Sequence, residues 1–278
     1  MSAPTIVADL AALGWLTYPD DDGPHTVVGD LWRLPEIHSP DLGNHRDLFV
    51  YLPPSYHTAP DRRYPVVYMH DGQNLFDAAT AFADEWQVDN TMDVLAETGR
   101  EAIVVGVPNT GVDRIHEYSP VKDRQERGGR GETYVSFLVN TVKPRIDADF
   151  RTKTGPLDTV VAGSSMGGLI SLYAFLKRPD VFGHAGVMSP SLWFADRGIF
   201  PIVRDTPRHP GRIYLDVGTK EGASTVADCR RLRRLLLGKG YTLADDLCYI
   251  EAEGAGHSEA AWRDRLYVAM DFLLGPED

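Results

Sequence analysis

The chain has 278 residues, of which 43% are apolar and 10% aromatic, and a formal net charge of −12. That supplies one large core, and no break in composition divides it. The charge argues against nucleic-acid partners, no apolar run approaches the roughly 18 residues of a membrane span, and two cysteines make no disulfide framework.

Residues 1–25 read as an N-terminal extension and 26–278 as a single α/β domain. Met1–Leu16 lacks the basic region and apolar core of a secretory signal, so a cytoplasmic location is expected. Residues 26–53 predict two antiparallel strands joined at the turn-rich Ser39–Asn44. Strands are then predicted at Pro65–His70, Ala102–Val107, Thr159–Ala162, His184–Met188, Arg212–Val217 and Leu247–Ala252. Helices are predicted at Val88–Thr98, Thr133–Ile146, Leu169–Lys177, Val226–Leu237 and Glu259–Leu274. This alternation predicts a doubly wound, mostly parallel sheet with an antiparallel N-terminal edge. Cys229 and Cys248 read as buried thiols. Arg230, Arg231, Arg233 and Arg234 alternate with leucines and read as the wet face of an amphipathic helix.

The most informative stretch is Gly163-Ser164-Ser165-Met166-Gly167-Gly168. The β-branched run before it reads as a buried strand. After it, Leu169, Leu172, Tyr173 and Leu176 fall on one helix face. A Gly-x-Ser-x-Gly on a strand-to-helix turn is the context of a nucleophile elbow, which makes Ser165 the candidate nucleophile. A serine hydroxyl needs a base, and the base an orienting acid. Of nine histidines, His257 is the candidate base: it sits in Gly254-Ala255-Gly256-His257-Ser258, between the last strand and the last helix, where Ser258 can cap the helix. Two carboxylates compete as the acid. Asp216 lies within a strand, and Glu221 in the loop beyond its carboxyl end. The loop position suits a reach across the sheet, so Glu221 is preferred.

Two backbone N–H donors are needed for an oxyanion. Met166 supplies one, and Gln73, after the strand that ends at His70, the other. A metal site at His70, Asp71 and Asp77 is the rival reading of that loop. It lacks a second histidine at ligand spacing, so no metal or cofactor is expected.

These residues together resemble the putative-esterase family of α/β-hydrolases, and most of all its enterochelin-esterase-like hydrolases. The resemblance rests on Met69-His70-Asp71-Gly72-Gln73-Asn74-Leu75-Phe76-Asp77, on Pro108-Asn109-Thr110 with Arg114 and Glu117-Tyr118-Ser119-Pro120, and on Gly163–Gly168. It extends to Ser189-Pro190-Ser191-Leu192-Trp193, Gly218-Thr219-Lys220-Glu221 and Gly256-His257. The family also includes feruloyl and acetyl-xylan esterases, S-formylglutathione hydrolase and mycolyltransferases. The resemblance implies an α/β-hydrolase fold, Ser165 as nucleophile, His257 as base, Glu221 as acid, and backbone donors at Gln73 and Met166. Enterochelin esterases proper carry an N-terminal domain that helps hold a large siderophore. The short stretch before the core here argues against a bulky tri-catecholate.

Phe76, Trp86, Tyr118, Trp193 and Phe194 follow strands and are candidates for an apolar wall at the mouth. The glycine-rich segment Val121–Gly131, with Lys122, Arg124, Arg127 and Arg130, reads as a mobile, solvated loop. The function expected is hydrolysis of a small-molecule ester with a short acyl or small aryl group through an acyl-enzyme. A siderophore esterase and an acyltransferase with the same triad are the alternatives. A non-catalytic binding protein gives no reason for the ordered Ser165, Glu221 and His257.

Overall fold

The structure is a computed structural model that describes residues 9–275. The first eight residues of the N-terminal extension lie outside the described residues. Nine strands form one sheet in the order β1-β2-β3-β5-β4-β6-β7-β8-β9. They are β1 (Leu16–Tyr18), β2 (Asp30–Ser39), β3 (Asn44–Leu52), β4 (Val66–His70), β5 (Ile103–Val107), β6 (Thr159–Ser164), β7 (His184–Met188), β8 (Arg212–Gly218) and β9 (Leu247–Ala252). β1, β2 and β3 pair antiparallel, β3 pairs antiparallel with β5, and every pairing from β5 to β9 is parallel. β1 joins residues 16–18 of the extension to the same sheet.

The parallel strands read as continuous apolar runs because helices cover both faces. Val66 and Tyr68 of β4 face one layer and Val67 and Met69 the other, as the two-residue period of a strand requires. One layer holds α1 (Val88–Ala96) and α9 (Glu259–Leu274). The other holds α3 (Gly131–Phe137), α4 (Lys143–Asp149), α5 (Met166–Lys177), α7 (Ile199–Asp205) and α8 (Ala223–Gly238). Two short elements, α2 (Arg114–Glu117) and the irregular α6 (Phe194–Arg197), lie in loops and have no apolar period to announce them.

One predicted helix, Thr133–Ile146, is broken. A π-helical turn, Leu138–Val142, separates α3 from α4. Pro144 lies in the first turn of α4. It has no N–H to give to the preceding turn, and the wider turn accommodates that loss. The parallel strands all end at the same edge of the sheet. The loops after β4, β6, β7, β8 and β9 therefore open together there, where a site is expected in such sheets.

Candidate active site

Ser165 stands between β6 and α5 with φ 57° and ψ −120°. That conformation costs on the order of 1–3 kcal/mol for a residue with a Cβ, and it lifts the side chain off the sheet edge. The Ser165 N–H donates to the Met188 carbonyl at 3.0 Å. The flanking glycines make the turn possible. A Cβ on Gly168 would lie 2.8 Å from the Met188 carbonyl oxygen, and one on Gly163 would lie 3.1 Å from the backbone of Gly167 and from the His70 ring. Met166 begins α5, so its N–H belongs to the first turn and has no intrahelical partner.

The structure brings Ser165, His257 and Glu221 into one line. His257 Nε2 is 3.0 Å from Ser165 Oγ, and His257 Nδ1 is 2.8 Å from Glu221 Oε2. Because Nδ1 faces a carboxylate, it carries the imidazole proton, and Nε2 is left to accept from the serine. Ser258 caps α9 by accepting from the Ala261 N–H, which fixes the loop just after His257. Trp262 meets the His257 ring edge-to-face at 4.9 Å. The His257 side chain is 42% exposed and the Glu221 side chain 1%.

Glu221 is held from three sides. Its Oε1 accepts from the Gly218 N–H at 2.7 Å and from the Ser189 hydroxyl at 2.6 Å, and its Oε2 faces His257. Burial alone raises the carboxyl pKa. The bonds from His257, Ser189 and Gly218 outweigh it and hold the group below the usual carboxylate range. The Ser189 hydroxyl also receives Trp262 Nε1–H and Arg265 Nη2–H, each at 3.0 Å. Both partners can only donate, so the Ser189 proton is committed to Glu221. Asp216, the competing carboxylate, does not face His257. It is fully buried, paired with Arg265 at 2.7 Å, and accepts from Tyr214 and from the Ser189 N–H. It anchors the platform on which Glu221 is set.

The loop after β4 forms a 3₁₀ turn, Gly72–Asn74, with Asp71 in the left-handed region at φ 57°. Asp71 is clamped there. Arg114 Nε and Nη2 each reach its carboxylate at 2.7 Å, and Asn109 Nδ2 does so at 2.7 Å. The Asp71 N–H donates to the Tyr118 hydroxyl at 3.1 Å. The Gln73 side chain accepts from the Asn109 N–H, which secures the turn that carries the Gln73 N–H. The loop lies on the elbow itself, since a Cβ on Gly167 would meet His70 at 3.3 Å and Asp71 at 3.5 Å. His70 bonds Tyr134, and burial pushes its pKa down to about 3, so the ring is neutral. Asp77 is taken by Tyr18, His25 and Thr26. Among the described residues no three His, Cys, Asp or Glu side chains converge as metal ligands.

The aromatics expected at the mouth differ in exposure. Phe76, Trp86 and Tyr118 are buried: Trp86 packs against Trp262 and Tyr118 beside His70. They follow strands in sequence and pack into the two core layers, Tyr118 into one and Phe76 and Trp86 into the other. Phe194 is buried as well. Trp193 remains, 53% exposed. Its neighbours in α6, Ala195, Asp196 and Arg197, all have positive φ (50°, 53° and 66°). A cavity of about 240 Å³ opens between Trp193–Asp196 and Asp123–Arg127. Arg124 pairs with Asp196 across it. The segment 121–131 has internal order: the Asp123 N–H donates to the Arg127 carbonyl, and the Gly129 and Gly131 N–H groups donate to the Ser119 carbonyl. A larger cavity, about 560 Å³, lies at the opposite end of the strands near Pro65, His184 and Arg212, remote from Ser165.

Four residues that touch the site lacked a role in the sequence, Ser191 among them through a 3.1 Å contact with Ser165 Oγ. Ser189 and Ser191 follow the end of β7, so their place beyond a strand was a usable signal. Trp262 and Arg265 lie on the buried side of α9, where a tryptophan resembles any core aromatic and an arginine runs against the apolar pattern.

A family model described as putative esterase matches residues 39–273. Bacillus subtilis uncharacterized protein YbbA is 28% identical over 251 residues, 84% of this chain and 94% of that one. An iron(III) salmochelin esterase of Escherichia coli is 27% identical over 249 residues, 84% of this chain but 55% of that one. The crystal structure of the BES protein from Bacillus cereus superposes with a TM-score of 0.71 at 21% identity, over 92% of this chain and 99% of that one. Among the described residues no helix is long and apolar enough to cross a membrane. The chain belongs to the putative esterase family and has the α/β-hydrolase fold.

Proposed function

We propose that the protein is a serine carboxylesterase that hydrolyses short-acyl or small aryl esters through an acyl-enzyme on Ser165. The observation that carries this reading is the unbroken line Ser165 Oγ, His257 Nε2, His257 Nδ1, Glu221 Oε2, with steps of 3.0 and 2.8 Å. His257 takes the Ser165 proton as Oγ attacks the ester carbon. Glu221 steadies the imidazolium that results. The N–H groups of Met166 and Gln73 receive the oxyanion, the protonated His257 gives its proton to the leaving alcohol, and water repeats the sequence to release the acid. A substrate-sized molecule meets Trp193 at the mouth, an exposed aromatic ring suited to an acyl or aryl group. Two unpaired cysteines suit a reducing compartment, and we place the enzyme in the cytoplasm.

A siderophore ester is the second reading. It is favoured by the likeness to a salmochelin esterase over 84% of this chain. The deciding experiment is kcat/KM across p-nitrophenyl esters of two to twelve carbons, methyl ferulate and a catecholate siderophore. Pocket contacts discriminate by roughly 10–200-fold per methylene-scale change. The reading expects the two- to four-carbon or feruloyl esters to lead. A siderophore or twelve-carbon ester leading by more than tenfold overturns it.

A further inference from the structure

We infer that Ser191 is a second catalytic hydroxyl, which donates a hydrogen bond to Ser165 Oγ and assists its departure from the acyl-enzyme. The inference rests on the serine-esterase reading above and extends it to a residue whose side chain that reading leaves idle.

Ser191 Oγ lies 3.1 Å from Ser165 Oγ. Its position is set by backbone, not by chance packing. The Ser191 N–H donates to the Ser165 carbonyl at 2.9 Å, and the Ser191 carbonyl accepts from the Phe194 N–H. The residue is 2% exposed. The direction of the hydroxyl bond follows from counting protons. His257 Nδ1 faces the Glu221 carboxylate and keeps its hydrogen, so Nε2 is an acceptor and takes the only proton of Ser165. Ser165 has nothing left to give Ser191. The contact is therefore Ser191 O–H donating to Ser165 Oγ.

That bond has unequal value in the two half-reactions. In acylation, Oγ passes from a hydroxyl oxygen to an ester oxygen, losing its proton to His257 as it bonds the acyl carbon. The same partial charge forms on Oγ there as in its later departure, but the starting hydroxyl oxygen already accepts well from Ser191, so the bond gains little. In deacylation, His257 takes a proton from water and the water oxygen bonds the acyl carbon. When the tetrahedral intermediate collapses, the C–Oγ bond breaks, its electron pair goes to Oγ, and His257 returns a proton to Oγ. While that bond breaks, negative charge grows on Oγ. A donor already in place turns from a weak bond to an ester oxygen into a charge-assisted one, roughly twice as strong. Interactions that strengthen only in the transition state raise the rate. The gain expected is about tenfold in deacylation.

Stopped-flow hydrolysis of p-nitrophenyl acetate separates the two steps. With Ser191→Ala, the deacylation rate should fall about tenfold while acylation stays within about threefold. The variant should then show a p-nitrophenol burst close to one per enzyme, and the acetylated protein should accumulate by mass. Ser191→Cys, similar in size but a weaker donor, should fall between the two and guards against loss of packing. Equal slowing of both steps, or no change in either, overturns the inference. Ser165→Ala is the control for the underlying reading: turnover surviving in that variant sinks the serine mechanism itself, whatever Ser191 does.

Discussion

Replacing Ser189 with alanine tests the claim that the acid is held by a committed hydroxyl. The wild-type oxygen accepts from Trp262 and Arg265 and donates to Glu221. Alanine removes all three bonds at once. Arg265 keeps Asp216 and the Ala261 carbonyl, but the buried Trp262 N–H is left without its partner. A hydrogen bond to a charged group is worth about 1.5–3 kcal/mol, and an orphaned buried donor costs about 1–3 kcal/mol. These overlap rather than add, so the loss of stability should be about 2–4 kcal/mol. For a chain of this size that lowers Tm by roughly 5–10 °C. Glu221 keeps the Gly218 and His257 bonds, so activity should fall rather than vanish, by about 10–100-fold in kcat. The Ser189 bond is one of those that depress the Glu221 carboxyl. Without it the carboxyl titrates at a higher pH, and the acid limb of the rate profile moves upward. Thermal melts and pH–rate profiles of the two proteins read all three effects. A Ser189→Ala protein with unchanged Tm and unchanged kcat would refute the hub.

Glu221→Gln should lower kcat far more than it raises KM, because the carboxylate acts on the imidazolium formed as the proton moves. If Asp216→Asn has that signature and Glu221→Gln does not, the acid is misassigned. Burial pushes the Asp89 carboxyl up to about 6, against hydrogen bonds from the Val28 and Asn90 N–H groups. The unfolded chain releases that proton near 3.9, so the native state binds more protons between about pH 4 and 6, and stability is lost as pH rises through that window. Asn loses one of the two N–H acceptors, so the test is a difference: Asp89→Asn should compare with wild type about 2–3 kcal/mol more favourably at pH 7 than at pH 4, as read by urea unfolding at both. An equal difference between the two proteins at the two pH values would rule out the titration. Trp193→Ala should raise KM for aryl esters by about tenfold with little effect on Tm, and an unchanged KM would remove Trp193 from the binding surface.

Much of this was legible because parallel strands and elbows impose strong local rules. His184–Met188 and Leu247–Ala252 have the bounds the sequence predicts, since each is an apolar run closed by turn residues. The meeting of Ser165 with His257 follows from parallel strands that end at one edge. Which aromatics are exposed was not legible. A ring just past a strand can turn outward or fold back, and only tertiary packing decides, as Trp86 and Trp193 illustrate. The loop position of Glu221 was a usable signal for the acid, but the partner of Asp216, Arg265, lies 49 residues away. Nothing in the local pattern of α9 marks that arginine as the mate of a buried aspartate. The π turn at Leu138–Val142 had a visible cause in Pro144, yet the apolar period around it reads as one uninterrupted helix.

The central claim is that Ser165 is the nucleophile, and the most direct measurement is ester hydrolysis by Ser165→Ala beside covalent labelling of the wild type. Loss of a triad serine costs on the order of 10⁶ in kcat in a well-studied serine protease. Ser165→Ala should fold as the wild type does and lose all measurable turnover of p-nitrophenyl acetate. A fluorophosphonate should add once to the wild type, at Ser165, and not to the variant. A variant that keeps a tenth of wild-type activity, or a label that maps to another serine, would contradict the account.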